Sequence, residues 1–193
     1  EGLFRYGVRG VDLEDAKEWA AAQDWCNGKV GMVGASHGGI VQNMASLYRP
    51  PHLAALWVDV APTNAFRWEV RQGGAMALHM YGALYLHGYD SQEIAGDATA
   101  IERIERGAER LREEIWKQPF KEDETPISVV PNLEKVLMHY YQDGSYTDWW
   151  KQESLDHAQH YDRMADIPAV YSSGWYDPFA AETSEQFAHM TAK

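Results

Sequence analysis

A serine between two glycines is the residue of this sequence with the most definite chemistry. Residues 34–38 read Gly-Ala-Ser-His-Gly, a G-x-S-x-G pattern centred on Ser36. In this pattern the serine projects from a sharp turn between a strand and a helix, and glycines flank it because larger side chains would collide with the strand and the helix. The helix N-terminus favours the negative oxygen that forms on acyl attack. The pattern predicts that Ser36 is an acyl-transfer nucleophile; the alternative is a glycine-rich turn with an idle serine.

His37 directly follows this serine. A side chain next to such a nucleophile normally points elsewhere, so His37 is not interpreted as the general base. Its backbone N–H is the better candidate, as one donor of an oxyanion hole.

Two aspartates near strand ends could orient a catalytic histidine and stabilise its protonated form. Asp177 follows a predicted strand that ends near Gly174, and the order of serine before aspartate suits a hydrolase built on a parallel sheet. Asp59 is the rival and ranks second, because it lies within an apolar run. Asp177 also precedes Pro178, so it could simply shape a turn. We predict that Asp177 is the acid.

The elements around these residues predict an α/β fold. Helix, strand, helix and strand alternate, and this order indicates a parallel sheet with crossover helices. The predicted helices contain residues 16–23 and 37–48, and the predicted strands are 29–33, expected to be buried, 53–61 and 169–173.

A mainly helical block separates the second and third predicted strands. Helices are predicted around residues 101–115, 136–141 and 148–161, the first with an apolar stripe of Ile101, Ile104, Ala108, Leu111 and Ile115. An insertion of this kind often caps an active site. We predict a core of residues 1–62, a helical cap of residues 63–166, and a continued core of residues 167–193.

The composition limits the partners. The net charge is −12, from 17 basic and 29 acidic residues. Such a surface repels phosphate backbones, which argues against nucleic acid and anionic membranes as partners, and the apolar stretches are too short to span a membrane. Cys26 is the one cysteine, so no internal disulfide and no thiolate metal cluster can form. Compartment and oligomeric state are not indicated.

Two further groups of residues have alternative interpretations. His157 and His160 are three apart and could hold a metal, but a solvated helix face is the favoured interpretation because no third strong ligand is evident. Trp68, Trp175 and Tyr176 are candidates for a substrate pocket, the last two because they adjoin Asp177. No cofactor is expected.

Two segments carry a family resemblance. Residues 18–32 read Glu-Trp-Ala-Ala-Ala-Gln-Asp-Trp-Cys-Asn-Gly-Lys-Val-Gly-Met, and residues 167–177 read Ile-Pro-Ala-Val-Tyr-Ser-Ser-Gly-Trp-Tyr-Asp. With them the chain resembles the X-Pro dipeptidyl-peptidase and cocaine-esterase family of α/β-hydrolases, which carries a G-W-x-D signature after a strand. The resemblance implies that Ser36 is the nucleophile, that Asp177 is the triad acid, and that the helical block is the cap of a partial α/β-hydrolase sheet.

The departures from the family are informative. The family usually has tyrosine where this chain has His37, and its triad histidine should follow the acid by some tens of residues, whereas 16 residues follow Asp177. Early strands, a second oxyanion donor and a C-terminal jelly-roll are not matched. We therefore expect a truncated piece of a longer enzyme, with the catalytic histidine outside it and little turnover by the chain alone.

The substrate class follows from the same resemblance. The α-amino ester hydrolases place acids just after the triad aspartate, where this chain has residues 178–181, Pro-Phe-Ala-Ala, although Glu182 follows closely. A cocaine-esterase-like serine hydrolase acting on small esters, amides or short peptides is therefore expected. The alternatives are an X-Pro dipeptidyl-peptidase that cleaves after proline, and a catalytically inactive binding module of the same fold.

Overall fold

The structure, a computed structural model, describes residues 10–192, with side chains described from Asp15 onward. The chain forms two compact units, and one of them is Val70–Ser145. The other unit combines the described residues up to Glu69 with those from Tyr146 onward. Residues 63–69 and 146–166, which the sequence analysis grouped with the helical insertion, thus fall in the unit that contains Ser36.

The secondary structure alternates as an α/β chain does. The strands are β1 (Val30–Ala35), β2 (Leu53–Asp59), β3 (Arg71–Gln72), β4 (Ala75–Met76) and β5 (Ala169–Ser172). The helices are α1 (Gly10–Ala21), α2 (His37–Tyr48), α3 (Leu78–Tyr89), α4 (Ala98–Glu109), α5 (Leu111–Glu114), α6 (Pro131–Gln142) and α7 (Ala180–Thr191). The chain also contains three short 3₁₀ segments and one π-helical segment. The 3₁₀ segments are Gln92–Ile94, Pro126–Val129 and His157–Arg163, and the π-helical segment is Ala65–Glu69.

Three parallel strands form the sheet of the unit that contains Ser36. Their order is β1-β2-β5, so β2 is central, with Ala35 opposite Asp59 and Asp59 opposite Ser172. Because all three strands run the same way, their carboxyl ends lie at one edge. That edge carries the bend at Ser36, the end of β2 and the turn that leads to Asp177.

Side chains alternate between the two faces of this sheet. One face is packed: Leu56 and Val58 are buried there, Met32 and Tyr171 pack against them, and α2 covers β1 and β2. The opposite face exposes a row formed by Val33, Trp57 and Val170. The prediction that the first strand is buried is therefore wrong, since every second residue of β1 is exposed.

The unit Val70–Ser145 is helical, apart from the two-residue strands β3 and β4, which pair antiparallel. The predicted helix of residues 101–115 is divided at Arg110 into α4 and α5. Its apolar stripe buries Ile104, but Ala108 is exposed and Gly107 faces inward instead. Only a residue without a side chain fits there, because a Cβ on Gly107 would lie 2.5 Å from Cε1 of Tyr85. No membrane-spanning helix is found in the part of the chain that the structure describes.

The predicted helix of residues 148–161 is wrong. The chain makes turns there, Asp156 forms an antiparallel bridge with Asn64, and a 3₁₀ segment follows. The backbone of Asp156 is not helical (φ −145°, ψ 70°) where it makes this bridge, so a tertiary pairing prevails over local helix propensity.

Candidate active site

Ser36 lies at the bend between β1 and α2. Its φ is 53° and its ψ is −118°, a backbone conformation that residues with a Cβ rarely adopt. The bend is held on both sides, since the Ser36 N–H donates to the Asp59 carbonyl (3.0 Å) and the Ser36 carbonyl accepts from the N–H groups of Gly39 (2.9 Å) and Ile40 (3.0 Å). The side chain is exposed. A strained, exposed serine at a strand-to-helix bend is the geometry that the G-x-S-x-G pattern predicts.

The glycines of the bend do not all serve the purpose that the pattern suggests. A Cβ on Gly34 would lie 3.2 Å from the Gly38 backbone, so that glycine allows strand and helix to approach. A Cβ on Gly38 would meet nothing within 4 Å, so the prediction of a collision there is wrong. Gly39 is the tighter position, because its Cβ would lie 2.5 Å from the Ala61 Cβ.

His37 is the first residue of α2 and is half-buried. The first N–H groups of a helix have no acceptor within the helix and point out of its N-terminus. This placement beside Ser36 is what an oxyanion donor requires, and the role of the His37 N–H stays a prediction.

Asp177 shapes the turn that follows β5. Its N–H donates to the Gly174 carbonyl (3.0 Å), and its Oδ1 accepts from the Phe179 N–H (2.8 Å). For Oδ2, no hydrogen-bond partner is found among the described residues. The turn interpretation is therefore correct for one carboxylate oxygen, and the other is available to a ligand such as a histidine.

The sheet brings Ser36 and Asp177 to the same edge. Ser36 directly follows β1, and Asp177 lies five residues after the end of β5. One strand, β2, separates them, and two inter-strand spacings amount to about 10 Å.

Asp59, the rival acid, occupies the end of the central strand. Its Oδ1 accepts from the Ser172 hydroxyl (2.6 Å). The Ser172 hydroxyl oxygen in turn accepts from the Trp57 indole N–H (3.0 Å). The carboxylate is thus engaged with the neighbouring strand. One oxygen of each carboxylate is engaged, and the choice of Asp177 over Asp59 stays a prediction.

The predicted pocket aromatics differ in exposure. Trp175 and Tyr176 are fully exposed, at 98% and 103% of their reference areas. Trp68 lies in the π-helical segment and is half-buried, with the Arg67 guanidinium 4.9 Å from its ring centroid. Their contact with substrate stays a prediction.

His157 is fully buried, so the interpretation of a solvated helix face is wrong for this residue. Its Nε2 lies 3.0 Å from the Asn43 amide nitrogen and accepts a hydrogen bond from it. Burial lowers the pKa of His157 to about 3, and the nearby His160 charge adds to the effect. His157 is therefore neutral at physiological pH. Among the residues with described side chains, no cluster of three metal-ligating groups is found.

Glu182 is a buried carboxyl that the sequence reasoning did not identify as structural. Its Oε1 accepts from the Thr63 N–H (2.9 Å), the Thr63 hydroxyl (3.1 Å) and the Asn64 N–H (2.9 Å). Burial raises the pKa of Glu182 to about 8, although the three hydrogen bonds oppose the shift; the charge of Glu69 contributes the smallest part of it. Glu182 thus anchors α7 to the segment after β2. Its place in a first helical turn gave no sign of burial.

Comparisons with known proteins extend over nearly the whole chain. The model of the family described as X-Pro dipeptidyl-peptidase (S15 family) matches residues 4–193. Cocaine esterase from Rhodococcus sp. (strain MB1 Bresler) is 26% identical over 191 residues, which cover 92% of this chain and 31% of that enzyme. The chain thus spans about a third of the length of this curated relative.

Two solved structures share the fold. An α-amino acid ester hydrolase superposes with a TM-score of 0.59 at 17% identity, covering 96% of this chain and 29% of the other. An aminopeptidase from a marine sediment Thaumarchaeota archaeon superposes with a TM-score of 0.57 at 18% identity, covering 100% of this chain and 31% of the other. The predicted partial α/β-hydrolase sheet is confirmed, with three parallel strands in the described residues.

Proposed function

Because this chain belongs to the X-Pro dipeptidyl-peptidase (S15) family, we propose that it carries the nucleophile and the acid of a serine hydrolase that cleaves acyl ester or amide bonds. The observation that carries the proposal is Ser36 itself, exposed on a bend with φ 53° between β1 and α2. Hydrogen bonds from β2 and α2 hold Ser36 in this strained conformation, which lowers the stability of the fold. A catalytic role for the serine explains why the strain is kept.

The proposed reaction proceeds through an acyl-enzyme. The Ser36 oxygen attacks the acyl carbon, a histidine accepts the serine proton, and the same histidine then protonates the leaving alcohol or amine. The N–H of His37, at the N-terminus of α2, donates to the oxyanion. The histidine next takes a proton from water, which attacks the acyl-enzyme ester. When the intermediate collapses, the histidine gives that proton to the Ser36 oxygen, so the acid product leaves and the serine hydroxyl is restored.

Asp177 is proposed to accept from the other ring nitrogen of that histidine through Oδ2. The bond from the Phe179 N–H to Oδ1 holds the carboxylate in one orientation. This arrangement would keep the imidazole in the tautomer that leaves its second nitrogen free for Ser36.

The catalytic histidine is proposed to lie outside residues 1–193. Three of the described histidines are engaged elsewhere, which supports this. His157 is buried against Asn43, His52 pairs with Glu18 at 2.5 Å just before the amino end of β2, and His189 stacks on Tyr161 with ring centroids 5.0 Å apart. We expect the isolated chain to show little turnover, and measurable hydrolysis by it would contradict this assignment.

Labelling with a fluorophosphonate probe tests the central claim. The native polypeptide that carries this sequence should form an adduct at Ser36, located by peptide mass spectrometry, and Ser36→Ala should form none. Absence of an adduct in the unaltered protein would favour the inactive binding module. Asp177→Asn should slow labelling strongly, because the histidine would lose its orientation, whereas Asp59→Asn should leave the rate nearly unchanged.

Esterase and dipeptidyl-peptidase activity remain two candidates within this function. The 26% identity to cocaine esterase supports the first, and the family match supports the second. Turnover of p-nitrophenyl acetate without cleavage of a Gly-Pro amide would identify an esterase. Release of the dipeptide from the Gly-Pro amide would identify the peptidase.

A further inference from the structure

Gln42 is a buried side chain that touches three elements at the Ser36 bend. It lies in α2, six residues after Ser36, and is 1% exposed. Its amide nitrogen donates to the Gly34 carbonyl (3.1 Å) and to the Gly38 carbonyl (3.1 Å). Its amide oxygen accepts from the Trp57 N–H (3.1 Å). The two carbonyls belong to the two glycines of the G-x-S-x-G pattern, one on each side of Ser36.

We propose that Gln42 is the positioning residue of the nucleophile: one primary amide joins the strand before Ser36, the helix after it and the neighbouring strand. The proposal rests on the serine-hydrolase function proposed above. Gln42 does not touch the reacting atoms. It acts through the backbone, by fixing where the bend begins and where the first turn of α2 points.

The chemistry of the site selects glutamine. A primary amide supplies N–H donors for the two carbonyls and an acceptor for the Trp57 N–H within one side chain. Leucine has a similar size but would leave a buried N–H and two buried carbonyls without this partner. Glutamate would keep an acceptor for Trp57 and turn a carboxylate oxygen toward the two carbonyls.

The strain at Ser36 gives this amide its importance. A backbone held at φ 53° relaxes if the segments on each side can move. Gln42 ties those segments to each other and to β2, so its loss should let the Ser36 hydroxyl move away from its attacking position. A displacement near 1 Å is enough to cost about 100-fold in rate.

Gln186 provides a matched control. It is also 1% exposed, and its amide nitrogen donates to the side-chain oxygen of Asn43 (2.7 Å), the residue after Gln42 in α2; it makes none of the three bonds of Gln42. Gln186→Leu removes a buried amide of the same size from the same compact unit. Its cost to stability should therefore resemble that of Gln42→Leu without a direct effect on the bend.

The experiment measures fluorophosphonate labelling of Ser36 in the native polypeptide, with the maximal rate separated from the probe's half-saturation concentration. Gln42→Leu should lower the maximal rate about 10-fold to 100-fold with little change in half-saturation, and Gln186→Leu should lower it less than about three-fold. An equal loss in both variants, or an unchanged rate in Gln42→Leu, would overturn the proposal.

Amide hydrogen exchange separates this proposal from the proposed function. The Trp57 N–H should exchange faster in Gln42→Leu but not in Gln186→Leu, whether or not the protein is active. An unaltered protein that does not label refutes the serine hydrolase, and the exchange rates then decide alone whether Gln42 holds the bend. Unchanged Trp57 exchange in Gln42→Leu refutes that role.

Discussion

The bend at Ser36 and the turn at Asp177 both follow parallel strands, yet their hydrogen bonds lead to different places. The bend is joined to β2 through the Asp59 carbonyl and through the Trp57 N–H bound by Gln42. The turn at Asp177 is closed by bonds to Gly174 and Phe179, within three residues on either side. The bend at Ser36 is held by hydrogen bonds to other elements, whereas the turn at Asp177 is closed by hydrogen bonds to residues nearby in sequence.

The difference agrees with the two roles proposed for Ser36 and Asp177. A nucleophile needs one position and one orientation, so a strained bend is worth stabilising from several elements. An acid that orients a histidine needs a free oxygen and a fixed anchor nearby. At Asp177 the N–H of Phe179 holds one carboxylate oxygen, and five residues on Glu182 ties α7 to Thr63 and Asn64.

The largest expected effect comes from overfilling the bend. Gly39→Ala should lower the free energy of unfolding by about 3 kcal/mol, because the added methyl would lie 2.5 Å from the rigid Ala61 Cβ. Gly38→Ala, at an open position of the same helix, should leave it unchanged or raise it by up to ~1 kcal/mol through better helix propensity. Urea titrations of the two variants check this, and equal midpoints would show that packing at Gly39 does not hold the bend.

The buried carboxyl of Glu182 should affect how the stability of the protein depends on pH. The folded protein keeps the proton of Glu182 up to about pH 8, whereas the unfolded chain loses it near 4.5, so stability falls as pH rises through this range. His157, with its pKa lowered to about 3, has the opposite slope below about pH 6.5, so the Glu182 effect is seen best above that pH.

Glu182→Gln tests this expectation. Between pH 6.5 and 8 the unaltered protein should lose roughly 1 kcal/mol of unfolding free energy per pH unit, and the variant should lose much less. Urea titrations at several pH values supply the measurement, with the exposed Glu122 changed to Gln as the control. Parallel curves for protein and variant would mean that Glu182 does not carry this proton.

Relief of backbone strain at Ser36 should be a smaller effect. Ser36→Gly should raise the free energy of unfolding by about 1 kcal/mol relative to Ser36→Ala, because glycine adopts φ 53° without a Cβ clash while alanine keeps the strain. Both variants should be inactive. Thermal unfolding distinguishes them, and a glycine variant no more stable than the alanine variant would argue that the bend is unstrained.

The smallest effect on stability is expected at the two exposed aromatic residues in the turn that leads to Asp177. Trp175→Ala and Tyr176→Ala should change the free energy of unfolding by less than about 0.5 kcal/mol, since both side chains are fully exposed. If they contact substrate, KM for an aromatic ester should rise about five-fold while kcat changes little. Unfolding curves and initial rates check the two parts separately, and an unchanged KM would remove both residues from the pocket.

Local sequence patterns were sufficient where local chemistry decides the structure. Ser36 within a glycine-rich βα turn, the strand before Gly174 and the start of α2 at His37 all follow from residue types at short spacing. Patterns failed where a distant partner decides. Residues 148–161 look helical, but Asp156 among them bridges to Asn64, and His157 looks solvated but is buried against Asn43.

The sequence alone identified the groups with the potential for this chemistry. The G-x-S-x-G motif around Ser36 and the aspartate after a predicted strand, Asp177, can both be recognised from residues close together in the chain. The tertiary structure decided which side chains hold the backbone around these groups in place. Gln42 and Glu182 are ordinary helical side chains in the sequence, and only folding places their polar atoms against backbone groups from other segments. Because these hydrogen bonds form only when distant segments come together, no local pattern reveals that the two side chains are structural.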